Sequence, residues 1–371
     1  MSRWEPVTYA GWAGHDSLPV FRKSEDGLAS RGATKHIFDV TRRWMDPDGD
    51  GDPGDGIDGW RLDVPNEIAA PFWVEWRAVV KAANPDVYIT GEIWDNAAAW
   101  LDGEHFDAVM NYQFAHAAVA WIFDKEVKTT ASETDRRLAK LRMSYPPAAT
   151  YVLQNLIASH DTDRVASMAL NSDREYDRDN RNQDDNPAYN NDKPGPVEYA
   201  RMRLITLLQM TYVGAPMIYY GDEVGMWGAD DPTCRKPMLW KDLEPYAKPD
   251  ENHVMEHHLA WFQKVIALRN GHPALRTGAF QTLLVDDAAD VWAFARYDDD
   301  EQLIVALNAS GEGAKVKIPL PADAPEKWRV EFSGGGPEIQ YTGEGLEFSV
   351  VDDKLEIHVP ALGGTVLESV R

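Results

Sequence analysis

The stretch Ile57-Asp58-Gly59-Trp60-Arg61-Leu62-Asp63 is short, rich in apolar side chains and ends in an acid. It predicts a β-strand that carries Asp63 at its carboxyl end. Three further apolar runs, at residues 87–92, 151–157 and 216–220, also predict strands. The first of them ends at Glu92, and the other two run directly into polar and acidic residues.

Segments with helical periodicity separate these strands, at residues 72–83, 126–143, 197–210 and 255–269. Strands that alternate with helices are typical of a parallel sheet. Enzymes built on such sheets carry their chemistry at the carboxyl ends of the strands. A polar run at residues 174–192 has no apolar period, and we interpret it as a mobile surface loop near those strand ends.

The pattern changes near residue 275. Short strand candidates follow, separated by Gly, Pro, Asp and Asn, at residues 291–297, 303–308, 315–318, 328–332, 346–350, 355–359 and 364–367. Such spacing predicts an antiparallel β-sandwich. We therefore predict two domains, an α/β domain over residues 1–275 and a β-sandwich over residues 276–371.

The net charge of −24 argues against nucleic-acid and membrane-surface partners, which would attract a basic face. The single cysteine, Cys234, excludes an internal disulfide. Residues 1–6 show no signal peptide and no stretch is long enough to span a membrane, so a cytoplasmic protein is the default, with export still open. The 14 tryptophans suit either a large core or the stacking of sugar rings.

Three acids at predicted strand ends, Asp63, Glu92 and Asp161, are the candidate catalytic residues. Arg61 shares a strand face with Asp63, and a neighbouring guanidinium favours the ionised carboxylate that a nucleophile needs. Glu92 lies beside Ile93 and Trp94, an apolar setting that suits a proton donor. Two carboxyls in unlike environments fit glycoside hydrolysis. The alternative is that these acids cap helix N-termini.

Three motifs resemble those of the α-amylase family of glycoside hydrolases: Gly59-Trp60-Arg61-Leu62-Asp63-Val64-Pro65-Asn66-Glu67, Gly91-Glu92-Ile93-Trp94 and Ser159-His160-Asp161-Thr162. The stretch 221–226, with 230–235 after it, resembles the last barrel strand of that family and its loop. The residues of these motifs most resemble those of the cyclomaltodextrinase, neopullulanase and maltogenic amylase branch. The resemblance extends from about Tyr9 through the C-terminal β module.

This resemblance implies a role for each matching residue. Asp63 matches the nucleophile, Glu92 the general acid/base and Asp161 the acid that distorts the bound sugar. The implied substrate-binding residues are Arg61, Glu67, His160, Asp231 and Arg235. The implied activity is that of a retaining α-glycosidase on α-1,4-glucosidic bonds in maltooligosaccharides, starch, cyclodextrins or pullulan, with transglycosylation as a further activity. The alternative is a catalytically impaired glucan-binding or assembly protein.

The resemblance also implies a (β/α)8 TIM-type barrel, which we expect to be incomplete in this chain. Too few residues precede Asp63 for three βα units, and the Asp-x-x-x-Asn-His motif that follows the third strand in the family does not occur. The strands from residue 57 onward match the fourth to the eighth, so the sequence starts in mid-barrel. Open strand edges tend to pair with another chain, so we expect a homo-oligomer that covers them.

The acidic loop at residues 46–58 spaces oxygen ligands two residues apart, at Asp46, Asp48, Asp50 and Asp52. This spacing is that of a calcium-binding loop, but Ile57 stands where an EF-hand has its Glu. The loop is therefore either a structural calcium site or a solvated acidic turn. We expect no cofactor to be required for the reaction.

Overall fold

The computed structural model describes residues 9–123, 126–246 and 253–370. Residues 1–6, where the sequence shows no signal peptide, lie outside the described residues. The chain divides into two compact units, one that ends at Val109 and one that starts at Met110. Among the helices that the structure describes, none is both long and apolar enough to cross a membrane.

The first unit contains a parallel three-stranded sheet and two long helices. Its elements are β1 (Lys23–Ser24), β2 (Gly27–Leu28), α1 (Arg31–Met45), β3 (Gly59–Leu62), α2 (Ala70–Ala83), β4 (Tyr88–Gly91) and β5 (Ala108–Val109). The sheet order is β3-β4-β5, with Leu62 paired to Gly91. The strands and helix expected at residues 57–92 are thus present, whereas α1 was not predicted.

Helix α2 forms because its apolar residues recur on one face. Phe72, Trp73, Trp76 and Val80 are all buried. The indole of Trp76 donates a hydrogen bond of 2.8 Å to the Thr41 hydroxyl, which joins α2 to α1. This packing supports the strands whose ends carry the candidate acids.

The second unit begins with helices and two parallel strands. These elements are α3 (Tyr112–Ile122), α4 (Ala131–Ser144), α5 (Pro147–Val152), β6 (Gln154–Leu156), α6 (Val165–Leu170), α7 (Pro196–Thr211), β7 (Ala215–Met217), α8 (Glu256–Gly271) and α9 (Pro273–Thr277). Strands β6 and β7 pair in parallel, and Met110 forms a parallel bridge with Gln154.

The predicted elements around α4 and β6 differ here. The strand expected over residues 151–157 is a helix up to Val152 and a strand only over Gln154–Leu156. The reason is Pro147, which sits in the first turn of α5 and starts a helix that the apolar residues then continue. The expected helix at 126–143 begins at Ala131, where the Thr130 hydroxyl accepts a hydrogen bond from the Glu133 amide.

The C-terminal β module has the antiparallel pairing that the sequence predicts. Its strands are β8 (Ala279–Asp286), β9 (Val291–Tyr297), β10 (Gln302–Asn308), β11 (Ala314–Pro319), β12 (Lys327–Gly335), β13 (Gln340–Tyr341), β14 (Glu347–Ser349), β15 (Lys354–Val359) and β16 (Gly363–Ser369). The large sheet has the order β13-β12-β16-β10-β9-β8, with β14 on β12. A buried apolar core lies between this sheet and the β11–β15 pair, so the module is a sandwich.

Buried arginines join the helices of the second unit to the β module. Arg203 of α7 donates to the carbonyls of Gly336 (2.8 Å) and Pro337 (3.3 Å) after β12. Arg296 of β9 donates in return to the Thr211 carbonyl at the end of α7, at 2.7 Å. Both guanidinium groups are almost wholly buried. The carbonyls therefore supply part of the hydrogen bonds that these desolvated cations require, while the Nε atoms of both have no partner among the described residues.

Arg269 of α8 donates hydrogen bonds to several backbone carbonyls where α7 ends. Its guanidinium donates to the carbonyls of Met210 (2.8 Å), Tyr212 (3.3 Å), Gly214 (2.5 Å) and Leu275 (2.9 Å). The last carbonyls of a helix lack partners within the helix, and a cation at that end satisfies them and complements the helix dipole. The residues from the end of α7 to the start of β7 are held in this way.

Candidate active site

Asp63 and Glu92 are joined by one guanidinium in the first unit. Arg61 Nη2 lies 3.0 Å from Glu92 Oε2, and Arg61 Nη1 donates to Asp63 Oδ1. The parallel pairing of β3 with β4 aligns the ends of the two strands, so the residues that follow meet at one edge. The Asp63 side chain is 76% exposed, whereas that of Glu92 is only 6% exposed. The two carboxyls therefore differ in exposure, although both contact the same guanidinium.

The setting of Glu92 is more polar than the sequence suggests. Its carboxylate accepts hydrogen bonds from the Val64 amide (3.2 Å) and the Trp94 indole (3.3 Å) as well as from Arg61. The expectation of an apolar setting is thus wrong, because sequence neighbours do not reveal that Arg61 reaches this carboxyl. The group is buried but fully engaged with donors.

A tight turn holds these groups in place. Val64 has a left-handed conformation, with φ 39° and ψ 51°, which turns the chain directly after Asp63. The Trp73 indole donates to the Pro65 carbonyl at 2.8 Å and fixes this turn to α2. At Gly91 a Cβ atom would lie only 3.1 Å from Pro65 and from Phe106, so glycine permits the close approach.

A cavity of about 430 Å³ opens beside Asp63. Trp12, Leu18 and Phe21 line it and are exposed, and Glu67 also lines it. The Glu67 carboxylate is paired with Lys23 Nζ at 2.6 Å. The predicted substrate-binding residue Glu67 thus lies on the same cavity as Asp63.

The other four predicted residues lie together in the second unit. Asp161 Oδ2 is 3.0 Å from His160 Nε2, and Asp161 Oδ1 is 2.8 Å from Arg235 Nη2. Arg235 Nε also donates to the His160 carbonyl at 2.8 Å and is 3.0 Å from Asp231 Oδ1. A single guanidinium therefore connects the loop that follows β6 with the loop that follows β7.

Sequence reasoning missed a buried carboxylate just beyond this group. Asp163 is 3% exposed and accepts hydrogen bonds from the Tyr189 hydroxyl and from Asn180 Nδ2, the latter at 3.2 Å. The same Asn180 amide donates to Asp177 at 3.0 Å. Burial raises the pKa of Asp163 to about 7, and the nearby Asp230 adds to this effect.

These contacts also correct the interpretation of residues 174–192 as a simple surface loop. Tyr176, Asn180 and Tyr189 are buried. The Tyr176 hydroxyl donates to the Ile157 carbonyl at 2.9 Å, next to the end of β6. The two tyrosines within the polar run are the signal that could have predicted an anchored loop.

Arg164 is a second buried group that the sequence analysis did not single out. Its guanidinium donates to the Cys234 carbonyl (2.9 Å) and the Tyr220 carbonyl (2.7 Å), and is 3.1 Å from Asp222 Oδ1. The rings of Tyr219 and Tyr220 lie against it. Burial raises the pKa of Asp222 to about 7, although Arg164 opposes this shift. The feature of the sequence that could have predicted this buried pair is the acid Asp222, which follows a predicted strand end in Gly221-Asp222-Glu223.

The acidic loop brings three carboxylates close together. Carboxylate oxygens of Asp46, Asp48 and Asp50 lie within 4.8 Å of one another. Their other contacts are to backbone amides of the same loop, for example from Gly49 and Gly51 to Asp46. Hard oxygen ligands at this spacing suit Ca²⁺. Asp52 instead caps the turn that follows, by accepting a hydrogen bond from the Gly54 amide.

Comparisons with known proteins agree with this architecture. The model of the α-amylase catalytic domain matches residues 29–278, and that of the α-amylase C-terminal all-beta domain matches residues 284–370. The chain therefore belongs to the α-amylase family, as the motifs predict.

Among curated relatives, neopullulanase 2 of Thermoactinomyces vulgaris is 36% identical over 294 residues, 79% of this chain and 43% of its own. Cyclomaltodextrinase of Geobacillus thermopakistaniensis is 40% identical over 301 residues, 81% of this chain and 43% of its own. The chain thus spans less than half the length of these relatives. The solved debranching enzyme of Nostoc punctiforme, soaked with acarbose, superimposes with a TM-score of 0.72 at 29% identity, over 98% of this chain and 66% of its own.

Proposed function

We propose that this chain carries the catalytic acids of a retaining α-glycosidase that hydrolyses α-1,4-glucosidic bonds in maltooligosaccharides, starch, cyclodextrins or pullulan. The observation that carries the proposal is the Asp63–Arg61–Glu92 arrangement, in which one carboxyl is open to solvent and the other is buried. Support for the substrate class comes from relatives that are named neopullulanase and cyclomaltodextrinase.

In the proposed reaction, the Asp63 carboxylate attacks the anomeric carbon while Glu92 donates a proton to the departing glycosidic oxygen. The bond between sugar and leaving group breaks, and a covalent glycosyl ester with Asp63 forms. Glu92 then removes a proton from water, which attacks the same carbon and releases Asp63. A sugar hydroxyl that replaces this water gives transglycosylation. Double displacement requires carboxyls about 5–5.5 Å apart.

The remaining predicted residues receive supporting roles in this proposal. Asp161 would bind the hydroxyls of the distorted sugar, and its contacts with His160 and Arg235 fix the orientation of its carboxylate. Asp231 and Arg235 would hold glucan toward the non-reducing end. Glu67 would influence the balance between hydrolysis and transfer. Arg61 would orient Asp63 and Glu92 together.

The test is release of reducing sugar from maltoheptaose and β-cyclodextrin by the parent protein, by Asp63→Asn and by Glu92→Gln. We expect both substitutions to abolish release, and Asp184→Asn, at an exposed position, to leave it unchanged. NMR of the first product formed should show the α-anomer. A parent protein no more active than Asp63→Asn would overturn the proposal.

The rival function, a catalytically impaired glucan-binding or assembly protein, is favoured by one observation. The Asp63 side chain is 76% exposed, and a well-solvated carboxylate gains little from a preorganised site. Under this alternative, maltoheptaose still binds the protein by calorimetry, whereas no reducing sugar appears even after prolonged incubation.

We also propose that Asp46, Asp48 and Asp50 hold a structural calcium ion, without Asp52, which caps the turn that follows. The ion would fix the loop that leads into β3 and takes no part in the reaction above. Titration calorimetry with calcium should show one binding event, and Asp48→Asn should weaken it. A flat titration would remove the site.

For the fold, we propose that the five parallel strands β3 to β7 correspond to the fourth to eighth strands of the family barrel. Among the described residues, β3 has a partner on one side only, and so does β7. We propose that a second copy of the chain covers such edges. Light scattering after size-exclusion chromatography should then give a mass above 41.7 kDa, whereas a clean monomer at micromolar concentration contradicts this association.

A further inference from the structure

A groove of about 320 Å³ lies on one face of the large sheet in the β module. Strands β8, β9 and β10 form its floor, and residues 320–324 form one wall. Its volume is at the lower end of the range that small-molecule ligands occupy. None of its residues has a role in the reaction proposed above.

The strand register explains how polar side chains converge on this groove. Tyr297 of β9 is paired with Gln302 of β10, and Ala295 is paired with Gln281 of β8. Residues two apart on a strand point to the same face, so Ala295 and Tyr297 do so. The small side chain of Ala295 leaves the floor low, and Tyr297 stands beside it with 38% of its surface exposed.

The polar groups of the groove are available to a ligand. Among the described residues, the side chains of Gln281, Tyr297, Gln302 and Asp323 make no hydrogen bond or ion pair within the protein. By contrast, the Trp328 indole in the same groove is committed to the Pro325 carbonyl at 2.9 Å. Two amides, a phenol and a carboxylate therefore face one small space with unused donors and acceptors.

This combination is chemically suited to a sugar. An aromatic ring packs against the C–H face of a pyranose, and amide and carboxylate groups can bridge its neighbouring hydroxyls. A neutral ligand also suits a chain with a net charge of −24, which repels anions. An apolar ligand would instead leave all four polar groups unpaired.

We propose that this groove is a second, non-catalytic binding site for α-glucan, with Tyr297 as the stacking residue and Gln281, Gln302 and Asp323 as hydrogen-bonding residues. The choice of α-glucan rests on the proposed function. Binding at a second position on the same chain raises the effective concentration of a polymer, so the site favours long substrates over short ones.

The experiment is native electrophoresis in gels with and without soluble starch, in an Asp63→Asn background that prevents digestion of the gel. Tyr297→Ala should lower the apparent affinity for starch, measured from the retardation, about fivefold, since the stacking contact is lost. Gln302→Ala should weaken it to a smaller degree. The matched control is Gln340→Ala, which alters a different groove in the same module and should leave retardation unchanged.

Retardation of Tyr297→Ala and Gln302→Ala equal to that of the Asp63→Asn parent would overturn the proposal. If Tyr297→Ala does not fold by circular dichroism, Gln302→Ala and Asp323→Ala decide the question. A gel that contains dextran in place of starch reports whether the site selects α-1,4-glucan. Because the gel needs no turnover, a protein that fails to release reducing sugar can still show this site.

Discussion

The carboxyl of Asp163 gives a direct test of how burial controls this structure. The group is 3% exposed, and its two neutral donors are the Tyr189 hydroxyl and the Asn180 amide. Burial, together with the charge of Asp230, raises its pKa to about 7 from the ordinary 3.8. Asp163→Asn keeps the shape of the side chain and removes the titration.

The size of the effect follows from this shift. A pKa difference of about 3 units between the folded and unfolded states corresponds to roughly 4 kcal/mol of linked free energy. Because the folded pKa is raised, the stability from this group is fully present below about pH 4 and is lost as the pH rises through about 7. Between pH 5 and pH 8 the parent should lose roughly 2.5 kcal/mol through Asp163.

The assay is urea unfolding at pH 5 and pH 8, followed by tryptophan fluorescence. The fall in the free energy of unfolding between the two pH values should be roughly 2.5 kcal/mol smaller in Asp163→Asn than in the parent. Asp184→Asn, at an exposed position in the same segment, should behave like the parent. The reasoning is refuted if Asp163→Asn and the parent lose the same stability between these pH values.

Three further substitutions address single guanidinium groups. Arg61→Met leaves Glu92 buried without its cation, so urea unfolding at pH 7 should show a loss of about 2 kcal/mol; an unchanged midpoint would contradict the ion pair. Arg269→Met leaves the carbonyls at the end of α7 without their donor and should cost about 3 kcal/mol by thermal unfolding. If the proposed reaction is observed, Arg235→Met should lower kcat on maltoheptaose about tenfold, because Asp161 loses its orientation. A change confined to KM would assign Arg235 to binding alone.

The sequence predicts the strands well where one face is buried and the pattern is clear. The stretch at residues 291–297 is observed as β9 over the same residues. It consists mostly of apolar and small side chains that are buried, and turn residues bound it on both sides. Helix α1 was missed because most of its side chains are polar or half exposed and only Thr41 and Met45 are buried. The short strand β7 ends sooner than its apolar run, since Tyr219 and Tyr220 turn to pack on Arg164.

The sequence predicts which residues belong to the candidate site, but not which contacts they make with one another. Motif positions indicated Asp63, Glu92 and Asp161, and the strand face indicated that Arg61 lies beside Asp63. That the same guanidinium also reaches Glu92 depends on the parallel register of β3 and β4, which no local pattern specifies. The burial of Asp163 depends on Tyr189, 26 residues farther along the chain.

The reciprocal hydrogen bonds of the buried arginines Arg203 and Arg296, which join α7 to the β module, affect how this protein can be truncated or recombined. A truncation after residue 278 would remove the carbonyls that accept hydrogen bonds from Arg203. It would also remove Arg296, the donor to the Thr211 carbonyl. In the severed fragment, the Arg203 guanidinium and the Thr211 carbonyl would lose their protein partners and face solvent. A chimaera that takes its β module from another family member should therefore carry the matching face of α7 with it.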